Sequence, residues 1–340
     1  MYWQRSFPVQ ELWMKKNNWT IGIDIGATKI EVAGIDASGK VLCSLRQKTN
    51  AGSSPESVES GTADAVRKLT KKIGTRPAAA GVGMAGQIDP LQGVVVFSPN
   101  LDWHNVPLRK GLAEKLGIPV AVTNDVRAAT WGEWLYGAGR GHRDMVCVFV
   151  GTGVGGGIVS RGVMLEGCSN TAGEIGHLTI DMNGPVCTCR NRGCLEASAG
   201  GWAIARDAQN AVTDNPAAGA ALLGLAGGDP KDITARVVAM AARKGDALAL
   251  RIIEHVTSAL VAGAVSLINA FNPCILILGG GVIEGLPGLV DSIDKGIRSR
   301  ALGAAMIHLK VVRSQLHSHA GVSGAAACAH HTFSHKGDLP

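Results

Sequence analysis

One pattern occurs twice in this chain and limits its fold more than any other: an apolar strand, a glycine-rich polar turn, and a strand that comes back. Thr20 to Ile25 runs into Asp24-Ile-Gly26-Ala27-Thr28-Lys29, and Ile30 to Ile35 returns. Met145 to Val150 runs into Gly151-Thr152-Gly153-Val154-Gly155-Gly156-Gly157, and Ile158 to Val163 returns. Asp24 and Gly151 stand 127 positions apart. A whole supersecondary unit repeated at such an offset predicts an internal structural duplication. The short apolar runs bounded by turns predict buried strands.

The segments between these landmarks predict an α/β protein. Ser54 to Ile73 is a helix with Val58, Ala65, Val66, Leu69 and Ile73 on one face, started by Ser54-Pro55 and stopped by Gly74. Ala79 to Met84 and Val94 to Phe97 are strands, and Leu108 to Leu116 is a helix ending at Gly117. Pro119 to Thr123 is a strand that delivers Asn124-Asp125, and Val126 to Tyr136 is the next helix. Later helices are expected at Gly200 to about Val212, Ile233 to Ala242, Ala247 to Phe271 and Gly324 to Ala329, with strands at Cys274 to Leu278 and Ile307 to Val312. Met1 to Trp19, with Trp3, Phe7, Trp13 and Trp19, is an extension ahead of the first strand, and His330 to Pro340 is a frayed tail.

Composition narrows the function. A chain of 340 residues that is 46% hydrophobic buries a sizeable core in two domains. The 46 glycines in a well-patterned chain point to tight turns and close backbone approaches. The net charge of +6 is carried by scattered Lys and Arg, so no nucleic-acid footprint is indicated. No apolar run approaches the roughly eighteen residues of a membrane helix; the longest candidate, Ala259 to Ile268, is short. Eight dispersed or clustered cysteines fit a reducing, cytoplasmic setting, and the first twenty residues carry charges where a signal peptide would be apolar.

Three of those cysteines stand close to a histidine. His177, Cys187, Cys189 and Cys194 fall within eighteen residues, with Gly184, Pro185 and Gly193 supplying turns. One imidazole and three thiolates suit a tetrahedral zinc ion, and four protein ligands make such a site structural. The alternative is a set of disulfides or buried core thiols. Glu174 and Glu196 flank the cluster and are free to accept hydrogen bonds from a polyhydroxylated ligand.

Two glycine turns facing one another across a cleft are a device for polyphosphate, because glycine lets backbone N–H groups close on an anion. Asp24 beside the first turn suits a hydrated Mg²⁺. Thr28 and Thr152 add hydroxyl donors, and Lys29 is either a further charge or a solvated surface lysine. A third cluster, Gly279-Gly280-Gly281, ends a strand where an adenine ring would pack. Gly151 to Gly156 also satisfies the dinucleotide pattern G-x-G-x-x-G, but that fingerprint needs a helix to follow, and here a strand follows. Asp125, at the carboxyl end of a strand, is placed either to take a proton from an attacking hydroxyl or to cap the helix that begins beside it.

Taken together, Asp24 to Lys29, Asn124-Asp125, Gly151 to Gly157, Ala172-Gly-Glu-Ile-Gly-His177 and Cys187 to Glu196 resemble the ROK family of repressors, open reading frames and kinases, over about residues 20 to 330. The resemblance is strongest to its glucokinases and N-acetylmannosamine kinases. It implies an actin-like, hexokinase-type (ribonuclease H-like) α/β fold of two lobes whose inter-lobe cleft closes over sugar and MgATP. The expected small lobe is 20–126 plus about 316–335, and the large lobe is 127–315, with the zinc segment at 177–194. The resemblance makes Asp125 the general base and gives Asn100, Asn124, Asp125, Glu174, His177 and Glu196 to the sugar. It gives Asp24, Gly26, Ala27, Thr28, Lys29 and Gly151 to Gly157 to the phosphates, and Gly280 and Gly281 to the adenosine. It implies ATP, Mg²⁺ and structural Zn²⁺, a homodimer or homotetramer, and transfer to the 6-hydroxyl of glucose; N-acetylmannosamine or another aminosugar or cyclitol is the alternative substrate. A sugar-sensing repressor is the alternative class, against which only nineteen residues precede Thr20. Two departures from the family pattern stand out: Ala27 in place of a glycine, and Arg190 where the family has Cys-x-Cys-Gly. If position 190 needs a positive φ, arginine strains the loop by roughly 1 kcal/mol or more.

Overall fold

The structure is a computed structural model and describes residues 19–26, 28–49 and 52–334. Met1–Asn18, Ala27 and the tail beyond 334 lie outside the described residues, and with them the expected docking of Trp3, Phe7 and Trp13. The chain divides into two compact units, 1–140 with 168–170 and 318–340, and 141–167 with 171–317.

The first unit is built on a five-stranded sheet of order β3-β2-β1-β4-β8. Strands β1 (Trp19–Ile25), β2 (Lys29–Asp36) and β3 (Val41–Lys48) form an antiparallel meander. Helix α1 (Pro55–Ile73) then leads to β4 (Ala80–Met84), which runs parallel to β1. Ser54 caps α1 by accepting from the Ser57 N–H, and Gly74 ends it at φ 85°. A small antiparallel sheet follows, β5 (Gln87–Asp89), β6 (Val94–Ser98) and β7 (Trp103–Val106), of which the sequence pattern predicts only β6. Helix α2 (Leu108–Leu116) and strand β8 (Val120–Asn124), parallel to β4, precede helix α3 (Asp125–Leu135). Ile21, Ile23, Val82, Leu108 and Val120 are buried in its core.

A C-terminal helix, Ala320–Ser334, closes this unit. It is longer than the Gly324 to Ala329 expected, and His330 to Ser334 are helical where a frayed tail was expected. His331 packs its ring 4.5 Å from Trp131, and Thr332 bonds back to the Cys328 carbonyl at 2.8 Å. The helix lies directly on the sheet and on α3 because small residues meet there. A Cβ built on Gly81 would fall 1.7 Å from the Ala325 carbonyl oxygen, and one on Gly324 would fall 1.6 Å from that of Ala128. The same packing keeps α3 in this unit, past the boundary at 126 expected from sequence.

The second unit repeats the plan, with sheet order β11-β10-β9-β12-β13. Strands β9 (Met145–Val150), β10 (Val154–Ser160) and β11 (Val163–Met164) are antiparallel, and β12 (Ile275–Gly279) runs parallel to β9 and to β13 (Lys310–Arg313). In each unit the first strand thus pairs with its returning neighbour on one side and a parallel strand on the other, as the duplication predicts. Between them lie helices α4 (Leu195–Ala199), α5 (Gly201–Asp214), α6 (Ala220–Leu225), α7 (Ala235–Arg243) and α8 (Ala247–Phe271). Helices α9 (Gly281–Gly285), α10 (Leu289–Arg300) and α11 (Gly303–Met306) complete the unit. Strand β13 starts at Lys310, three residues later than expected, because the chain bends at Ile307 and His308 before it enters the sheet.

By length and composition alone α8 is long and apolar enough to cross a membrane, although Arg251 and Glu254 interrupt its apolar run. Half of its most apolar window is buried, with Ile252, Val256, Leu260, Leu267 and Ile268 in the core of the unit beside Val146, Leu276 and Ile293.

The contact of the C-terminal helix with α3 leaves no room for a methyl group. Gly324→Ala is expected to lower stability by roughly 1–3 kcal/mol through overpacking, measured as a shift of the urea midpoint.

Candidate active site

In the first unit the site gathers at the carboxyl ends of β1 and β8. The turn after β1 is closed by the Gly26 N–H donating to the Lys29 carbonyl at 2.9 Å, which leaves Thr28 and Lys29 exposed. Asp24 is half-buried at the end of β1, directly opposite buried Glu31 on β2. Glu31 is itself held by Arg46 at 2.9 Å. Burial, and then the neighbouring Asp125 charge, push the Asp24 carboxyl from 3.8 up to about 6, with Lys29 opposing and Glu31 adding to the rise. The C-terminal helix presses close as well: a Cβ on Gly321 would stand 3.0 Å from Asp24 Oδ2.

The sequence leaves Asp125 poised between helix cap and chemistry, and the structure gives the cap to its neighbour. Asn124 Oδ1 accepts the Val126 and Arg127 N–H groups, while Asn124 Nδ2 donates to the Gly86 carbonyl at 3.2 Å. Asp125 is the first residue of α3 and accepts the Val126 N–H at 2.9 Å. Asn124 therefore carries structural bonds that the sequence reading, which gave it to a sugar, did not anticipate. Asn100 is exposed in the turn after β6. Arg127, which sequence reasoning missed, is buried and donates to the side chain and, at 3.1 Å, to the carbonyl of Asn170. Asn170 in turn donates to the Ile88 carbonyl at 3.0 Å, so residues 168–170 are tied into this unit.

In the second unit the glycine run splits into two parts with different uses. Only Gly151, Thr152 and Gly153 form the turn, which the Gly151 N–H closes on the Gly153 carbonyl at 2.9 Å. Val154 already pairs with Val150, and Gly155, Gly156 and Gly157 lie within β10 opposite Phe149, Val148 and Cys147. This corrects the expectation of one long turn. Gly156 is needed for packing, since a Cβ there would fall 2.1 Å from Ile175 Cδ1. The turn opens onto a cavity of about 1000 Å³ whose walls include Thr152, Trp202, Thr234, Met240 and Glu284. Gly281 also lines it, whereas Gly280, at φ 91°, supports the β9 backbone beside it. The walls from α5 and α7 carry no sequence motif, and only the fold brings them together.

The four ligand atoms expected to hold a metal converge, all within 4.8 Å of one another. Cys187 Sγ is 3.7 Å from His177 Nδ1, and Cys189 Sγ is 3.7 Å from Cys194 Sγ. A zinc tetrahedron with Zn–S near 2.3 Å and Zn–N near 2.0 Å has edges of roughly 3.6–3.8 Å. A disulfide needs about 2.05 Å, and all eight cysteines are free. Asn191 supports the cluster, donating toward Cys194 Sγ at 3.5 Å and to Thr179 Oγ1 at 3.0 Å. Arg190 adopts φ 74°, the left-handed conformation that favours glycine. Glu174 is exposed just before the 3-10 turn Ile175–His177. Glu196 Oε2 accepts the Val154 N–H at 2.9 Å and so, contrary to expectation, is already partly engaged by the protein.

Two α/β units on one plan, each with a glycine turn after its first strand, define the actin-like fold of the sugar-kinase class. The chain belongs to the ROK family, which it matches over residues 20–332. It is 36% identical to a glucokinase of Thermotoga maritima, over 90% of this chain and 96% of the relative. It is 34% identical to a glucokinase of Streptomyces coelicolor, over 91% of this chain and 97% of the relative. Among solved structures, a ROK family glucokinase from Streptomyces griseus in complex with glucose and AMPPNP has a TM-score of 0.80 and 35% identity, covering 92% of this chain and all of that one.

Because its folded carboxyl titrates near 6 and its unfolded one near 3.8, Asp24 favours folding only while protonated. Its contribution is complete below about 3.8 and is lost as the pH rises through 6. Asp24→Asn is therefore expected to stabilise the ligand-free protein by on the order of 2–3 kcal/mol at pH 7.5 and by little at pH 4. Thermal melts across that range check the sign.

Proposed function

We propose that this chain is an ATP-dependent hexose kinase that phosphorylates the 6-hydroxyl of glucose. The observation that carries the reading is the pair of carboxylates at the carboxyl ends of β1 and β8, where Asp125 starts α3 close enough to Asp24 for its charge to act on that carboxyl. The relatives named glucokinase and the solved glucokinase complex support the same reaction class. Asp125 accepts the proton of the sugar hydroxyl as its oxygen bonds to the γ-phosphorus and the bond to the ADP oxygen breaks. The Gly151–Gly153 turn and the Gly26–Thr28 turn receive the phosphates, and the cavity beside Gly281 receives the adenosine. Asp24, ionised at neutral pH, would hold hydrated Mg²⁺, which neutralises phosphate charge when bound.

On this reading Glu174, Glu196 and the second ring nitrogen of His177 hold the sugar, with Asn100 and Asn124 near it. The four converging donors fit structural zinc, which would fix the loop carrying His177 and Glu196. Glu174 in Ala-Gly-Glu-Ile-Gly-His favours glucose over N-acetylmannosamine, and a cytoplasmic homo-oligomer completes the proposal. A panel of hexoses, aminosugars and N-acetylhexosamines with coupled ADP detection tests it. No phosphoryl transfer to any of them would overturn it, and retention of DNA by the purified protein would favour the repressor class instead.

Asp125→Ala is expected to lower kcat by about 10²–10⁴-fold, with glucose still bound. Elemental analysis is expected to find one zinc per chain. Arg190→Gly relieves a left-handed arginine worth about 1 kcal/mol, so the variant should lose zinc to a chelator more slowly than the parent.

A further inference from the structure

Glu196 sits where three segments of the second unit meet. Its Oε2 accepts the Val154 N–H at 2.9 Å, against the phosphate turn, and a Cβ on Gly153 would stand only 2.2 Å from that oxygen. Its Oε1 lies 3.4 Å from the indole nitrogen of Trp202 and 3.5 Å from the Thr188 hydroxyl in the cysteine loop. A carboxylate has about four acceptor positions, so three donors leave one for a sugar hydroxyl.

Trp202 is placed to do more than hold that carboxylate. It lies in the first turn of α5, where the Gly201 and Trp202 N–H groups donate to the Gly151 and Thr152 carbonyls at 2.9 and 3.0 Å. Its side chain forms part of the wall of the 1000 Å³ cavity. The Arg206 guanidinium stands 5.1 Å from the centre of the ring and is itself anchored to the Ala197 carbonyl at 2.9 Å. The indole is thus backed by the protein, reaches Glu196 with its N–H, and meets the cavity with its body.

We propose that Trp202 is a positioning residue that couples the two substrates, because a nucleotide filling the cavity fixes the indole whose N–H holds the sugar-binding carboxylate Glu196. The proposal rests on the assignment of Glu196 to the sugar and of the cavity to the nucleotide.

Two substitutions separate the two ends of the side chain. Trp202→Phe keeps an aromatic wall and removes the donor. Trp202→His keeps a donor, since its Nε2 takes the place of the indole nitrogen, and removes the outer ring. Trp202→Phe is expected to raise the KM for glucose about tenfold, the effect of one hydrogen bond to a charged group, and to change the KM for ATP by less than about threefold. It is also expected to abolish the tightening of glucose that the β,γ-imido analogue of ATP produces in the parent. Trp202→His is expected to restore the glucose KM while weakening ATP. An unchanged glucose KM in Trp202→Phe overturns the proposal, as does a parent in which the analogue leaves glucose affinity unaltered. A parallel rise of both KM values in both variants, with lower zinc content and a lower Tm, also overturns it by showing a merely structural role. Glu196→Gln with unchanged glucose KM would instead remove the sugar assignment on which the coupling rests.

Discussion

The first unit depends on a helix that touches its sheet backbone to backbone. Ordinary helix-on-sheet packing keeps side chains between the two; here Gly81 lets the Ala325 carbonyl reach the sheet, and Gly324 lets α3 do the same to the helix. The same helix packs as closely on β1, where a Cβ on Gly22 would fall 1.8 Å from the Val322 carbonyl oxygen. Asp24 lies near the end of β1 and Asp125 starts α3, so one helix packs against both elements that carry these carboxylates. Burial, and then the Asp125 charge, raise the Asp24 pKa, and that cost comes with this placement.

Much of the fold can be read from the chain because its signals are local. Ser54 and Gly74 bound α1, Gly117 ends α2, and Pro273 stands just past the end of α8. The strand–turn–strand repeat announces the duplication, and the shared order of the two sheets is what the repeat becomes in three dimensions. What could not be read is mostly short or set by tertiary contact. Strands β5 and β7 are three and four residues long. The C-terminal helix outruns its small-residue core, and its last turns pack His331 on Trp131. Helix α10 is missing from the expected helices despite a legible stripe, Leu289, Ile293 and Ile297.

The candidate site can be named from the chain one residue at a time, but the bonds each residue makes cannot. The four donor atoms converge, and no residue pattern tells which ring nitrogen of His177 turns toward Cys187. A run of glycines conceals that three of them serve a strand and three positions make the turn, since glycine is equally at home in both. Asn124 and Asp125 are interchangeable as caps by residue type, and only the hydrogen bonds decide between them. The walls of the cavity come from α5, α7 and α9, far apart along the chain, and no spacing rule links them.

The discontinuity of the first unit has a consequence for how the protein is made. Its sheet is complete in sequence by Asn124, yet the helix that covers that sheet is not synthesised until Ala320–Ser334. During translation the second unit, whose pieces lie between 141 and 317, has all its partners before the first one does. The emerging N-terminal sheet must wait with an apolar face uncovered, a stage at which chaperones would be most useful and truncated products most prone to aggregate.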